Sequence, residues 1–376
     1  MKLTAQIKLV PTSDQADVLK KTLETANAAC NHISNQAWDH RTFRQYPLHN
    51  LTYHETRELF SLSAQAVVRC ISKVADAYKA DRKAKRSFRK HGAITFDNRL
   101  LTYNLEKMTV SIWTIEGRQQ IPFTCGKRQM ELLLTQRGES DLCYIGKSFY
   151  LFATCHIEEP TPLDVEGMLG IDMGIVNIAV DSDGEIHSGS HINNVRRRHR
   201  RLRKKLQSKG TRSAKRKLKK LSGKERRFAK NVNHCVSKHI VEKAKDTNRG
   251  IAMEELKGIR DRVTVRRCQR STLHSWSFFQ LRAFIEYKAR REGVPVIPVD
   301  PRNTSRTCPM CDYISKQNRP SQSVFKCVNC GHAGLADHIA AENIRRAAVN
   351  PPNVALQWAF SPPLQLQATG VQPVGN

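Results

Sequence analysis

No stretch of this 376-residue sequence stays apolar for anything near the roughly 20 residues that a membrane-crossing helix needs. The opening MKLTAQIKLV also lacks the long apolar core of a signal peptide, so a cytosolic location is expected. No internal repeat is visible. Acidic residues are scarce, with 34 Asp and Glu against 63 Lys and Arg, a formal charge of +29. Such an excess calls for a polyanionic partner, nucleic acid before a membrane surface, because no basic amphipathic anchor stands at a terminus. A disulfide framework is excluded by the length, the missing signal peptide and an odd count of 11 cysteines. Seven of these (Cys30, Cys70, Cys125, Cys143, Cys155, Cys235 and Cys268) are scattered, and read as buried small hydrophobes in a reducing compartment. A hydrophobic fraction of 39% argues against wholesale disorder, and the length leaves room for about two to four domains.

The pattern along the chain implies an α+β multidomain protein. Residues 1–10 alternate as a strand. A helix follows from Thr12 or Ser13, with Leu19, Leu23, Ala26, Ile33 and Ala37 at helical spacing. After a polar linker rich in His and Tyr, residues 54–86 repeat that pattern through Leu59, Leu62, Val67, Ile71, Val74 and Tyr78. Residues 11–89 therefore form a helical module. From Ala93 to about Glu158 the period is two, through ITFDNRLLTYN, MTVSIWTIEGRQQIPFT, RQMELLLTQ and CYIGKSFYLFATCHIE. With the first strand this predicts a small β-barrel, residues 1–10 and 90–160, interrupted by the helical module. A linker, EEPTPLDVEG, precedes strands near 168–173, 176–182 and 185–189, with Asp183-Gly184 as a two-residue turn. A basic helical stretch over 195–245 is expected to break near Gly210 and Gly223. A strand at RGIAMEEL, a helix over about 275–292, a strand at VPVIPVD and a helix from Asp337 complete the order. The tail over 350–376 has two Pro pairs and no charge, and reads as disordered.

Three features carry chemistry. Cys308-x-x-Cys311, fifteen residues, then Cys327-x-x-Cys330 is the spacing of a tetrahedral four-thiolate Zn²⁺ site, whose closed coordination makes it structural. Three acids stand where charge is costly. Asp172 interrupts the apolar strand MLGIDMGIV, and Glu254 or Glu255 ends GIAMEEL, a choice that alternation leaves open because central strands are buried on both faces. Asp337 shares a helix face with Ala340, Ala341 and Ile344, so it points inward. Taken singly, each acid could be a cap or a surface carboxylate. Their order on strand, hairpin, strand and late helix is that of a ribonuclease-H-like fold, which gathers such acids around two Mg²⁺ ions, or Mn²⁺, for phosphodiester hydrolysis.

The third feature is the run Arg196–Lys230, with nineteen Lys or Arg and one acid, Glu225. It would repel itself without phosphates, and its scarcity of aromatics favours phosphate contact over base stacking. Arg196, Arg197, Arg198, Arg200, Arg201, Lys204, Lys205, Arg216 and Lys217 are the expected nucleic-acid contacts.

GIDMG with Asp172, IAMEELKGIR with Glu254, SRTCPMC…CVNCG and LADHIAAENI with Asp337 together resemble the TnpB family. Its members are transposon-encoded RNA-guided nucleases similar to compact type V CRISPR effectors. The motifs cover residues 168–347, and FDNRLLTYN extends the likeness more weakly into the first half. The resemblance implies a RuvC-like nuclease domain over 165–300 and 332–349, with Asp172, Glu254 and Asp337 as its metal-binding catalytic acids. It selects Glu254 over Glu255 through the pattern Glu, one variable residue, then Leu256. It also implies a zinc-bearing insert over 301–331, a wedge-like barrel, a helical recognition module, a guide RNA and a double-stranded DNA target read by guide pairing. The protein would be prokaryotic and act at the nucleoid. Where the family often has two Asp residues in its last motif, Leu335 and Ala336 precede Asp337, leaving one acid at the matching position. The competing classes are a guide-RNA-dependent DNA-binding regulator, which would be expected to lack one of the acids, and a carboxylate-triad transposase.

Overall fold

The computed structural model describes residues 1–255 and 278–349. Leu256, Cys268, the first residues of the helix expected from 275 and the tail from Asn350 lie outside the described residues. The chain divides into two compact units, residues 1–158 and a second from Glu159 onward.

In the first unit, strict alternation buries Ala5, Ile7 and Leu9 on one face of β1 (Lys2–Leu9). Helix α1 (Ser13–Asp39) starts at a capping box, Thr12 with Gln15, which satisfies two orphan amides reciprocally. The expected linker is mostly helix, α2 (Gln45–Phe60), and the long helix of 54–86 is instead the end of α2 followed by α3 (Ala64–Ala80). The buried face of α2 is Leu48, Thr52 and Thr56, so its helical period is carried largely by threonines and escapes an apolar count. Ser61 takes a left-handed φ of 48° and Ser63 caps α3, which separates the two helices. The basic residues after Ala80 leave the helix and run along α1. There Asn31 Nδ2 donates to the Phe88 carbonyl at 2.9 Å and Ser34 Oγ to that of Arg86 at 2.6 Å.

The sheet strands are β2 (Ile94–Phe96), β3 (Leu101–Asn104), β4 (Thr109–Thr114), β5 (Gly117–Thr124), β6 (Gln136–Ile145) and β7 (Ser148–His156). Their order, β2-β6-β7-β1-β5-β4-β3, makes β1 the centre of seven antiparallel strands. Tyr103 on β3 donates to Ser140 on β6 at 2.8 Å, which ties one end of the sheet to the neighbour of the other and nearly closes it. RQMELLLTQ is not a strand: α4 (Lys127–Leu133) occupies it. Its Leu, Met, Glu and Gln are strong helix formers with no β-branched residue among them.

The second unit is built on β8 (Gly167–Asp172), β9 (Asn177–Asp181), β10 (Ile186–Ser188), β11 (Arg249–Glu254) and β12 (Val296–Val299), in the order β10-β9-β8-β11-β12. Strands β8, β11 and β12 are parallel, while β9 and β10 fold back antiparallel. The β9–β10 turn is longer than two residues. The Asp181 amide donates to the Glu185 carbonyl at 3.1 Å and Gly184 has φ +89°, the three-residue hairpin that places glycine in the left-handed position.

Helices cover both faces, as a parallel sheet requires. Leu169, Ile171 and Ile251 pack with α6 (Arg212–Asp246) and α7 (Phe278–Glu292), whereas Met168 and Ala252 pack with α8 (Ala336–Val349). Gly170 permits the second contact. A Cβ there would lie 2.0 Å from the Ala341 carbonyl oxygen.

Helix α5 (Ser190–Lys209) and α6 form a basic hairpin, turned at Gly210 with φ +62° and capped by Thr211. The break expected at Gly223 is absent, and α6 runs through it. A single helical glycine costs only about 1 kcal/mol relative to alanine, and adjacent turns carry Leu221 and Phe228 into buried contacts. The cysteine reading also needs correction. Cys30, Cys70 and Cys155 are buried, but Cys125 and Cys143 are half-buried and Cys235 is exposed. Cys235 lies off the α6 face that buries Asn233, Val236, Ser237 and Ile240.

Candidate active site

Asp172 ends β8 and Glu254 ends β11, and these neighbouring strands are parallel. Both side chains therefore leave the sheet at the same carboxyl edge. Asp337 lies in the first turn of α8, on the face that buries Ala340, Ala341 and Ile344. Burial first, then the charges of Glu254 and Asp337, push the Asp172 carboxyl from an ordinary 3.8 up to about 7, with Arg319 opposing them. Burial also raises Glu254, against a hydrogen bond from Thr304 Oγ1 at 2.5 Å. Asn177 Nδ2 donates to Asp337 Oδ2 at 2.9 Å, and Arg319 Nη2 approaches Asp337 Oδ1 at 3.5 Å. Asn343 on α8 anchors the Thr304 loop by donating to the carbonyls of Thr304 and Thr307, both at 2.8 Å.

The two glutamates that alternation leaves equivalent have different surroundings. Glu254 turns toward Thr304 and the other acids, whereas Glu255 is exposed and paired with Arg282 at 2.9 Å. Sequence reasoning missed Arg319, Thr304 and Asn177. Thr304 and Arg319 lie in polar irregular segments and Asn177 at a strand start, with no periodicity to mark them.

The three carboxylates are a half-buried, mutually repelling set of hard oxygen donors, which fits Mg²⁺ or Mn²⁺. Their oxygens do not all lie within 4.8 Å of one another, whereas the sulfurs of the four cysteines do. In the cysteine cluster Cys308 Sγ lies 3.5 Å from Cys330 Sγ and Cys311 Sγ 3.6 Å from Cys327 Sγ. A tetrahedron with Zn–S bonds of ~2.3 Å has edges of about 3.8 Å, so this donor set fits Zn²⁺. Each Cys-x-x-Cys pair is followed by a residue with positive φ, Asp312 at 55° and Gly331 at 77°, turning backbone amides toward the sulfurs. The Asn329 and Cys330 amides donate to Cys327 Sγ at 3.4 and 3.5 Å. The amide after Asp312 and the Asn329 side chain hold the Cys311 thiol below its ordinary range. The segment joins the acids directly. Strands β13 (Val324–Lys326) and β14 (Ala333–Leu335) pair as a hairpin, and β14 leads straight into Ala336 and Asp337.

On the basic hairpin, Arg197, Arg198, Arg200, Arg201, Lys204, Lys205, Arg216 and Lys217 are exposed. Arg196 is half-buried, and burial lowers its guanidinium pKa. It stands one turn beyond Ile192, which is packed into the core. Among the described residues no helix is long and apolar enough to cross a membrane.

Two family models match the chain: a probable transposase family, OrfB_IS605, over residues 153–257, and the Cas12f1-like TNB domain over residues 278–344. A TnpB-like protein of Methanocaldococcus jannaschii, MJ0751, is 31% identical over 49% of this chain and 69% of its own length. A Cas12f1 CRISPR-associated endodeoxyribonuclease of Sulfoacidibacillus thermotolerans is 33% identical, over 48% of this chain and 46% of that protein. The putative RNA-guided DNA endonuclease InsQ of Escherichia coli is 27% identical, over 53% of this chain and 54% of its own. The chain spans under half the length of the Cas12f1 relatives it matches, 40% and 46% for two of them. A solved Cas12f1–sgRNA–target DNA complex superposes with TM-score 0.62 at 16% identity, covering 91% of this chain and 84% of that one, which establishes a shared α+β fold. The likeness to MJ0751 spans more than two-thirds of that protein, and the chain belongs to the TnpB family.

Proposed function

We propose that the protein is an RNA-guided DNA endonuclease whose second unit is a RuvC-like, ribonuclease-H-like nuclease domain with Asp172, Glu254 and Asp337 as its catalytic acids. The observation that carries this reading is the convergence of three acids on one sheet edge, close enough that two of them help hold the third protonated up to about pH 7. Clustered carboxylates of this kind are costly to stability, and a cation site accounts for them. A pair of Mg²⁺ ions held there would activate the attacking water and stabilise the leaving oxygen of an in-line phosphodiester hydrolysis. The chain's own groups set the geometry. Thr304 fixes Glu254, Asn177 orients Asp337, and Arg319 brings a cation to the mouth of the site, where a phosphate would lie.

The cysteine cluster supports a structural Zn²⁺ in residues 301–331, bracing the hairpin that ends at Asp337. The near-closed sheet and helices of the first unit would serve as the wedge and recognition modules. The exposed basic face of α5 and α6 would hold the phosphates of the guide RNA and its heteroduplex with target DNA, at a cost in affinity that grows with salt. The intact set of acids favours cutting over a purely regulatory role.

RNA that copurifies with the protein tests the guiding step. Sequencing is expected to return one discrete structured RNA with a variable 3′ end, and a duplex DNA matching that end is expected to be cut. Recovery of unselected cellular RNA would overturn the reading.

A further inference from the structure

A third cluster of metal-ligating side chains draws on none of the acids or cysteines already described. Strand periodicity places Glu185 and His187, two residues apart at the β9–β10 hairpin, on one side, and α6 brings His239 to meet them. One ligand atom from each of the three lies within 4.8 Å of the others. His239 Nε2 is 2.7 Å from Glu185 Oε1, and the two imidazole rings stand 5.4 Å apart at 81°.

The frame around them is fixed. The Asp181 carboxylate accepts the Glu185 amide at 2.8 Å, and Ile240 beside His239 is buried. One turn after His239, Lys243 pairs with Asp181, with Asp183 at 3.2 Å and with Glu185 at 3.1 Å. Lys243 therefore keeps two carboxylate partners when Glu185 turns away. Arg249 pairs with Asp183 at 2.6 Å. Among these side chains three carboxylates face two cations, a net −1 that favours a further positive charge.

We propose that Glu185, His187 and His239 form a third metal site for a borderline divalent ion of the zinc, nickel or copper class. Two imidazoles and one carboxylate match the donor preference of those ions, and three protein ligands leave coordination positions for water. Glu185 and His239 are partly exposed, at 38% and 55%, so an ion has a path in. Held there, it would cross-link the β9–β10 hairpin to α6, elements joined in sequence only through the long basic hairpin. The site makes no use of the proposed nuclease chemistry and stands or falls without it.

The test is calorimetric titration of the untagged protein, first loaded with one equivalent of zinc to fill its cysteines, using Ni²⁺ as the probe. One saturable Ni²⁺ equivalent is expected, together with a rise in melting temperature. His239→Ala and His187→Gln are each expected to weaken it by about 10-fold or more, since loss of even an outer-shell partner costs that much. Both variants should melt like the parent without Ni²⁺, which separates impaired ligation from a damaged fold. No saturable equivalent in the parent, or unchanged affinity in both variants, would overturn the proposal. So would a Ni²⁺ equivalent that persists in both and disappears only when Cys308 is replaced.

Discussion

Replacing Asp172 by Asn should change how the stability of the second unit depends on pH, by an amount the structure fixes. The Asp172 carboxyl titrates near 7 in the folded protein and near 3.8 when exposed. Between those values the folded state holds a proton that the unfolded chain has released. Stability from this group is therefore full below 3.8, falls as pH rises, and levels off above 7. The whole shift is about 3 units, or about 4 kcal/mol at ~1.4 kcal/mol per unit. Between pH 6 and pH 8 the bound proton integrates to about one unit, a loss on the order of 1 kcal/mol. For a unit of this size that corresponds to about 3–6 °C in melting temperature.

The assay is a pair of thermal melts at pH 6 and pH 8 in magnesium-free buffer, with zinc retained, on the parent and on Asp172→Asn. Histidines and thiols titrate in both proteins, so the difference between the two isolates Asp172. The variant should gain on the order of 1 kcal/mol on the parent as pH rises from 6 to 8. Millimolar Mg²⁺ should close that gap by stabilising only the parent. Equal pH slopes in parent and variant would refute the reasoning, because the carboxyl would then be neither buried nor crowded by Glu254 and Asp337.

Three other outcomes follow from the packing and charge. Replacing Cys308 and Cys311 together by Ser should release zinc, unfold the segment that leads into Asp337 and remove cleavage; a parent protein without zinc by elemental analysis would contradict the site. Gly170→Ala should destabilise the second unit by about 3 kcal/mol, because its methyl group would meet the Ala341 carbonyl and push α8 off β8; denaturant melts within about 1 kcal/mol of the parent would contradict that close approach. Changing Arg201, Lys204 and Lys205 to Gln should weaken RNA binding and lower the slope of log affinity against log salt by about 0.7–0.9 for each phosphate these side chains neutralise. An unchanged slope would remove those residues from the interface.

The acid positions were legible because a charge inside an apolar pattern stands out. Asp172 in MLGIDMG and Asp337 on an Ala/Ile face each break a period that the fold then uses. The cysteine spacing was legible for the same local reason, since both ligand pairs lie within a few residues. Long-range partners were not. Nothing in KQNRPSQS marks Arg319 as the cation that reaches Asp337, because that approach depends on the insert folding back over the site. Secondary structure failed where polarity and period disagree. Helix α2 buries Thr52 and Thr56 and so reads as a linker, and α4 ends on Leu132 and Leu133, followed by Leu134, and so reads as a strand. Gly223 suggested a break that the hydrophobic contacts of α6 on either side override. Alternation could not separate Glu254 from Glu255, because both faces of β11 are covered; their partners, Thr304 and Arg282, differ only in three dimensions.

The most direct measurement is cleavage of a guide-matched DNA duplex by the RNA-loaded protein and by its Asp337→Asn counterpart, with RNA binding measured in parallel. The account predicts that the parent cuts in Mg²⁺ while the variant holds RNA equally well and leaves the duplex intact. Full cutting by the Asn variant would contradict the assignment of the three acids.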